Sequence, residues 1–446
     1  MMGMKKATIA YSPANQTWYL LTKTKSGQTR NRFIYWGANR MPLKLRLTRP
    51  PLYFYPKPLT INAFIHIEKG KPLLGPLVGI LTVRGEHGSF IGSKPNFIDV
   101  IKTGRYKGGI VFVFTPENVN WLTEEVKGYL YHPQLKKWLS CQFPLPNVVY
   151  NRIPLRSFER KSEVRACLQS LEKHPKITLF NPCFFDKEEL FRLLKDESEA
   201  AAYLPRTQPL DDKERLSEMI HEHRNVYLKP TRGKAGKGIF KACYDDAHGR
   251  YVLFFHQGLK TKRLWTTSFQ RLWSGFQKLK IDSPYIIQQA IDLAQVEGCP
   301  FDIRTLIQKN KYGKWGVTGI GVRVAGTNRI TTHVPQGGRI EDPDQVLPQV
   351  FTREQTEKIK TEVKHLALLV ATELEQHYHH LGEMSLDIGV DSQGQLWLFE
   401  ANAKPMKFDE PHIRRKSLEN LIEYAQYLTF KTYRKGVSTN ETAQAN

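Results

Sequence analysis

Between residues 75 and 180 the chain carries four short, nearly continuous apolar runs. They are Leu77-Val-Gly-Ile-Leu-Thr82, Gly109-Ile-Val-Phe-Val-Phe-Thr115, Asn147-Val-Val-Tyr150 and Lys176-Ile-Thr-Leu-Phe180. Runs without polar alternation, separated in part by helical stretches, predict strands of a parallel sheet covered on both faces. Before them, aromatic-rich strands at 7–11, 17–22 and 33–36 and a proline-rich link from Pro50 to Pro58 predict a small β-rich unit over residues 1–70. An α/β region over 71–204 follows it, then a second α/β region over 205–432, and residues 433–446 read as a polar, flexible tail. One helix is well marked. Thr352-x-x-Gln355 has the pattern of a capping box, and Ile359, Val363, Leu366, Val370 and Leu374 then recur at spacings of three and four, with Gly382 as a left-handed stop.

With 446 residues, 40% of them apolar and 24% charged, the chain is long enough for two or three domains, and its composition excludes a mostly disordered or fibrous protein. No apolar run approaches the length of a membrane span. Five scattered cysteines, none in a Cys-x-x-Cys pair, argue against a disulfide scaffold or a cysteine zinc site and for a reducing compartment. The first ten residues lack the apolar segment of a secretory signal, so synthesis in the cytoplasm is expected. Charge adds a feature of its own. The formal net charge is +23, and no Asp or Glu precedes Glu68, whereas Lys5 to Lys57 supply eleven basic residues. Such a block favours an anionic partner, whether nucleic acid, an acidic polymer or an anionic surface, although a solvated basic face reads equally well. No nucleic-acid-binding motif accompanies it.

Three separated segments carry candidate chemistry. In the first, a strand ending at Lys229 runs into a loop with Gly233, Gly236 and Gly238 interleaved with Lys234 and Lys237. Glycines let backbone amides approach phosphate oxygens, and the lysines neutralise charge. The loop is not a P-loop, because Gly238 rather than Ser or Thr follows Lys237. The bland reading is a surface hairpin. The second segment is a strand ending in Gln288-Gln-Ala-Ile291, followed by Phe301-Asp-Ile-Arg304, where period-two alternation puts Asp302 and Arg304 opposite Phe301, Ile303 and Ile307. Taken alone, these two are a surface ion pair. The third is a predicted hairpin turning at Asp391-Ser-Gln-Gly394. If Asp391 pairs with Gly394, Asp387 lies opposite Leu398 and Ser385 opposite Glu400. Asp387, Glu400 and Asn402 then share a face, the two carboxylates as diagonal neighbours roughly 7–8 Å apart, with Leu398 in the ring of ligands. Oxygen ligands so placed suit Mg²⁺.

The order of Lys229, the glycine-rich loop, Gln288 to Ile291, Asp302-Ile-Arg304, Arg323, Gly337-Gly338, Asp387 and Glu400-x-Asn402 resembles the ATP-grasp superfamily. The chain as a whole is more similar to the YheC/YheD family, ATP-grasp proteins associated with endospore coats. Gly75-Pro-Leu-Val-Gly-Ile-Leu-Thr82, Asn147-Val-Val-Tyr-Asn-Arg-Ile-Pro154, Phe180-Asn-Pro182, Leu204-Pro-Arg-Thr207 and Lys314-Trp-Gly-Val-Thr-Gly319 carry that likeness, over about residues 70–430. The resemblance implies an ATP-grasp fold (α+β, with α/β character) preceded by a Rossmann-like domain and the basic β-rich unit. It implies that Lys229, Gly233, Gly236, Lys237 and Gly238 hold ATP phosphates and that Gln288, Gln289, Ala290 and Ile291 form the adenine hinge. Asp387, Glu400 and Asn402 would hold one or two Mg²⁺ ions, and Arg304 and Arg323 would stabilise transferring phosphate. His333 stands where many ATP-grasp ligases have the Asn of Asn-x-x-x-Gly-Gly, and so becomes a candidate for substrate phosphate handling. The implied activity is ligation of a carboxylate to an amine or other nucleophile through an acylphosphate. The alternative is a coat-associated interaction protein that docks through its basic unit to spore-coat proteins or an acidic polymer.

Overall fold

A computed structural model describes residues 4–22, 31–48, 55–68, 70–196, 198–231, 237–258, 260–326 and 338–441. The N-terminal basic segment forms a closed six-stranded barrel: β1 (Met4–Ser12), β2 (Thr17–Leu21), β3 (Asn31–Trp36), β4 (Met41–Thr48), β5 (Leu59–Glu68) and β6 (Lys71–Gly75). The strand order is β1-β2-β4-β3-β6-β5, closed by antiparallel pairing of β5 with β1. Alternation makes the wall: along β4, Leu43 and Leu45 turn inward while Lys44 and Arg46 stay exposed.

The four apolar runs form β7 (Leu77–Leu81), β8 (Ile110–Phe114), β12 (Val148–Asn151) and β13 (Thr178–Phe180). They pair in parallel, as expected, and their order is β8-β7-β12-β13. Sequence reading missed the antiparallel extension beyond β8: β9 (Val119–Asn120), β10 (Glu125–His132) and β11 (Lys137–Pro144). These strands lie at the sheet's edge, where alternation with polar residues hides the apolar signal. One face of this sheet is covered by the helix Lys94–Lys107 and by the C-terminal helix Pro411–Glu441, which continues into the stretch expected as a tail. The other face meets the helix Ser162–Lys173 and the barrel, with Trp36 packed 5.7 Å from Phe143 between ring centroids.

Two more antiparallel sheets follow. One holds β14 (Thr207–Pro209), β15 (Asn225–Pro230), β16 (Phe240–Asp245), β17 (Arg250–Gln257), β18 (Lys260–Thr266) and β19 (Tyr285–Gln289), in the order β14-β19-β15-β16-β17-β18. The helices Lys213–His223 and Phe269–Leu279 supply Leu216, Met219, Leu272 and Phe276 to its core. The other holds β20 (Gln295–Val296), β21 (Cys299–Lys309), β22 (Trp315–Val324), β23 (Arg339–Glu341), β24 (Glu383–Val390) and β25 (Leu396–Asn402), in the order β23-β22-β21-β24-β25 with β20 beside β21. Its back packs on the helix Arg353–His377, whose five recurring apolar residues are all buried. The capping box forms as expected, Gln355 N donating to Thr352 Oγ1 at 3.3 Å and Thr352 N to Gln355 Oε1 at 3.0 Å. Gly382 is not the stop. The helix ends at His377, and Gly382 is instead needed for packing, because a Cβ there would collide with Phe180 and Tyr424. Among the described residues no helix is long and apolar enough to cross a membrane.

Candidate nucleotide and metal site

β21 lies between β22 and β24, and the register of these strands sets the site. Asp302 faces Arg323 on one side and Gly389 on the other, and the next row on the same face pairs Arg304 with Gly321 and Asp387. Phe301, Ile303 and Ile307 point into the core behind, as the alternation predicts. Across the hairpin, Asp387 stands directly opposite Glu400 and Ser385 opposite Asn402. This corrects the expected register in two steps. Asp391 closes the turn on Gln395 rather than on Gly394: its N–H donates to Gln395 O at 3.1 Å, and its carboxylate accepts from the N–H groups of Gln393 and Gln395 and from the Trp397 indole. The register then shifts once more between Asp387 and Ile388, leaving Phe399 as a bulge residue. Leu398 therefore faces Ile388 in the core, fully buried, and is not in the ligand ring. The two carboxylates become direct cross-strand neighbours, with Cβ atoms roughly 4.5–5.5 Å apart by strand geometry. Leu398→Ala should accordingly lower stability by about 2–5 kcal/mol and leave metal and nucleotide affinity unchanged, which denaturant unfolding and calorimetry would check.

Each acidic group has a cation against it. Arg323, buried to 5% side-chain exposure, donates Nε to Asp302 Oδ1 at 2.8 Å and Nη2 to Asp302 Oδ2 at 2.7 Å, and lies 3.0 Å from Asp387 Oδ2. Glu400 Oε1 accepts from Lys187 Nζ at 2.6 Å. Lys187 is the first residue of the helix Lys187–Lys195, held there by Asp186, whose carboxylate caps the Glu188 N–H at 3.1 Å. Facing them from the other sheet, Lys229 lies one residue before the end of β15. Its ammonium donates to Gln288 Oε1 and lies over the rings of Phe399, at 5.3 Å, and Tyr227, at 5.5 Å. Gln288 in turn donates Nε2 to Thr207 Oγ1 at 2.9 Å. Between the two sheets opens a cleft of about 280 Å³ lined by Lys187, Lys229, Gln288, Asp302, Asp387 and Glu400, among others.

A scan of protein families matches residues 176–428 to the description "YheC/D like ATP-grasp". The chain is 32% identical over 373 residues to the endospore coat-associated protein YheD of Bacillus subtilis (strain 168), covering 80% of each chain. The chain belongs to the YheC/D-like ATP-grasp family. It is also 24% identical over 339 residues to the endospore coat-associated protein YheC of the same organism, covering 75% of this chain and 92% of that one. Among solved structures, the ATP-grasp ligase PsnB with a minimal precursor is similar at a TM-score of 0.45 and 15% identity, covering 80% of this chain and 99% of that one. The VanG D-Ala:D-Ser ligase of Enterococcus faecalis is similar at 0.47 and 12%, with the same coverage.

In this YheC/D-like chain the structure gathers most of the described candidates and separates a few. Gln289 and Ile291 line the cleft, whereas Ala290 is absent from its lining, and its N–H is bonded to Asn225 O at 3.1 Å. Arg323 lines the cleft, but Arg304 lies beside it, over the ring of Phe408 at 4.9 Å. Asn402 extends the row from Glu400 without lining the cleft. Gly238 adopts φ +74, and its carbonyl accepts from Tyr285 OH at 2.9 Å, while Lys237 is exposed. Gly233, Gly236, His333 and Gly337 lie outside the described residues. Sequence reasoning missed Lys187 and Phe399. The first lies outside all three motif segments, and the second was hidden by the bulge.

Among the described residues no group of three His, Cys, Asp or Glu side chains is placed to hold a metal ion. Two facing carboxylates still fit Mg²⁺, which uses one or two protein carboxylates and completes its shell from phosphate and water. Burial foremost, and then the charge of Lys187, push the Lys229 ammonium down to about 8, against the pull of Glu400, Asp387 and Asp302. An unfolded lysine titrates near 10.4. Between these values the unfolded chain carries a proton that the folded one lacks, so this residue's contribution to stability rises with pH across that window. A polyphosphate bound beside it would recharge the amine. Nucleotide affinity should therefore weaken as pH rises above about 8 and stay flat in Lys229→Arg, a contrast that calorimetric titration from neutral to alkaline pH would read.

Proposed function

We propose that this chain binds Mg²⁺ and ATP in the cleft and ligates a carboxylate to an amine through an acylphosphate. The observation that carries the reading is the meeting of Asp387 and Glu400 with Lys187 and Lys229 across one cleft. In this reading Lys187, Lys229 and Lys237 neutralise phosphate oxygens, as would the backbone amides at Gly233, Gly236 and Gly238. Gln288 to Ile291 receive the adenine edge. Asp387, Glu400 and Asn402 hold one or two Mg²⁺ ions, which when bound would neutralise the β- and γ-phosphates. Asp302 orients Arg323, which keeps a fixed positive charge beside Asp387, and Arg304 supplies a second. His333, four residues before the Gly337-Gly338 pair, is proposed to contact the phosphate transferred to substrate. The substrate carboxylate attacks the γ-phosphorus and ADP leaves. The amine then attacks the acyl carbon and phosphate leaves, so no side chain need act as a nucleophile.

The names of the Bacillus relatives extend the proposal to a place of action at the spore coat, after synthesis in the cytoplasm. There the barrel, with Lys44 and Arg46 exposed along β4, would dock to acidic coat components. That surface also supports a second reading, a coat interaction protein that holds nucleotide without turning it over. Hydroxylamine trapping separates the two. With Mg²⁺, ATP and a panel of amino acids and short peptides, the ligase forms ADP and a hydroxamate. Nucleotide binding with no ADP and no hydroxamate across the panel would favour the second reading.

A further inference from the structure

Two of the segments that carry the family likeness, Asn147 to Pro154 and Phe180 to Pro182, take no part in the nucleotide cleft. They hold the carboxyl ends of β12 and β13, and the stretch just after β25 comes back against them. Asn181 Nδ2 donates to Ala403 O at 2.6 Å, and Arg152 Nη2 to Pro405 O at 2.9 Å. Between those two anchors Lys404 turns inward. Its side chain is 3% exposed, and its ammonium lies 4.4 Å from the centroid of the Phe184 ring. Its one hydrogen-bond acceptor among the described residues is Glu159 Oε1.

Glu159 ends the short helix Arg156–Glu159 and is itself largely buried. The same Oε1 accepts from Asn151 Nδ2 at 3.0 Å. Asn151, the last residue of β12, is fully buried, and its carboxamide is held at both ends. Nδ2 also donates to Pro182 O at 3.0 Å, and Oδ1 accepts from Ile153 N at 3.1 Å. An amine and a carboxamide nitrogen therefore sit on one carboxylate oxygen, beside an aromatic ring and shielded from water. As a plain salt bridge the Lys404–Glu159 pair is a poor source of stability, because taking both charges out of water can cost more than their attraction returns. The same arrangement suits a reaction. Holding an amine beside an amide turns a bimolecular encounter into an intramolecular step. A carboxylate bonded to both nitrogens can carry protons between them. A backbone N–H on Oδ1 stands where negative charge develops when the amide carbon is attacked.

We propose that Lys404 and Asn151 join in an intramolecular isopeptide bond, with Glu159 as the proton carrier. Lys404 Nζ attacks Asn151 Cγ, and the charge that gathers on Oδ1 is met by the Ile153 N–H. Nζ starts as an ammonium with three protons and keeps one. Glu159 passes the others to Nδ2, and the bond from Cγ to Nδ2 breaks as ammonium leaves. One C–N bond forms for one that breaks, and no oxidant, metal or nucleotide is consumed. The product ties the end of β12 to the chain just beyond Asn402, and so joins the parallel sheet covalently to the hairpin of Asp387 and Glu400. It is independent of the ligase reading, since a chain that never turns over ATP would still form it.

The test is mass spectrometry of the full chain, unfolded and reduced before measurement. The wild type should weigh one ammonia less than its sequence requires, and digestion should yield a branched peptide joining the segment around Asn151 to that around Lys404. Lys404→Arg and Asn151→Ala should each restore the full mass. Glu159→Gln, which keeps both reacting groups, should do the same, with circular dichroism checking its fold. Wild type of full mass, its two segments recovered as separate peptides, overturns the proposal whatever the variants do. So does a deficit of one water with Lys404 joined to Glu159, and so does a branch that survives in Glu159→Gln. The wild-type measurement decides the matter even where a substituted protein fails to fold.

Discussion

In the double variant Asp387→Asn, Glu400→Gln, nucleotide affinity should lose its dependence on Mg²⁺. At saturating Mg²⁺ the dissociation constant should rise on the order of 100-fold, close to 2.8 kcal/mol at 1.4 kcal/mol per decade. In chelator it should stay level or improve. The sign follows from the register. Asp387 and Glu400 are direct cross-strand neighbours on the wall of the cleft. Without a dication their negative charge would oppose a polyphosphate, and with one they would anchor it. Removing them therefore takes away the Mg²⁺-dependent gain and the metal-free repulsion together. A loss of affinity equal in chelator and in Mg²⁺ would mean that the two side chains act by packing. An unchanged constant in Mg²⁺ would mean that the dication is held elsewhere. Titration of a non-hydrolysable ATP analogue by calorimetry, with and without Mg²⁺, reads all three outcomes.

Where local pattern determined structure, the sequence was readable. The runs that became β7, β8, β12 and β13 lack polar alternation because both faces of their sheet are covered. The helix Arg353–His377 was legible from its cap and its apolar spacing, both set within a few residues. The common face of Asp302 and Arg304 followed from a strand that stays regular through that stretch. The hairpin was harder. Its register depends on a side chain, the Asp391 carboxylate, which gathers two N–H groups and an indole and lengthens the turn by one residue. The bulge at Phe399 then adds a second step, and together they move Glu400 opposite Asp387 and send Leu398 into the core. Lys187 was beyond reach for another reason. Nothing near Asp186 marks a phosphate site, and only the docking of its helix against the helix Arg353–His377 brings its ammonium to Glu400. The end of the helix was misplaced because glycine serves two purposes: Gly382 answers a close contact with Phe180 and Tyr424, whereas a stop would have needed a left-handed backbone.

Arg323→Met should be the most destabilising single change in the site, lowering unfolding free energy by about 3–5 kcal/mol in Mg²⁺-free buffer. Arg323 is as buried as Asp302, and its bidentate bonds fix that carboxylate while the same guanidinium lies 3.0 Å from Asp387. Methionine fills much of the volume but leaves two neighbouring carboxylates without their shared cation. Two consequences separate this account from simple loss of packing. First, Mg²⁺ should restore part of the lost stability, because a dication at Asp387 replaces the missing positive charge; the wild type, already compensated by Arg323, should gain less from the ion. Second, adding Asp302→Asn to Arg323→Met should recover stability rather than lose more, giving a large non-zero coupling energy where two independent lesions would simply add. Denaturant unfolding of the four proteins of this cycle, each in chelator and in Mg²⁺, measures both. A deficit in Arg323→Met that is the same with and without Mg²⁺, and additive with Asp302→Asn, would show that the guanidinium contributes only its shape.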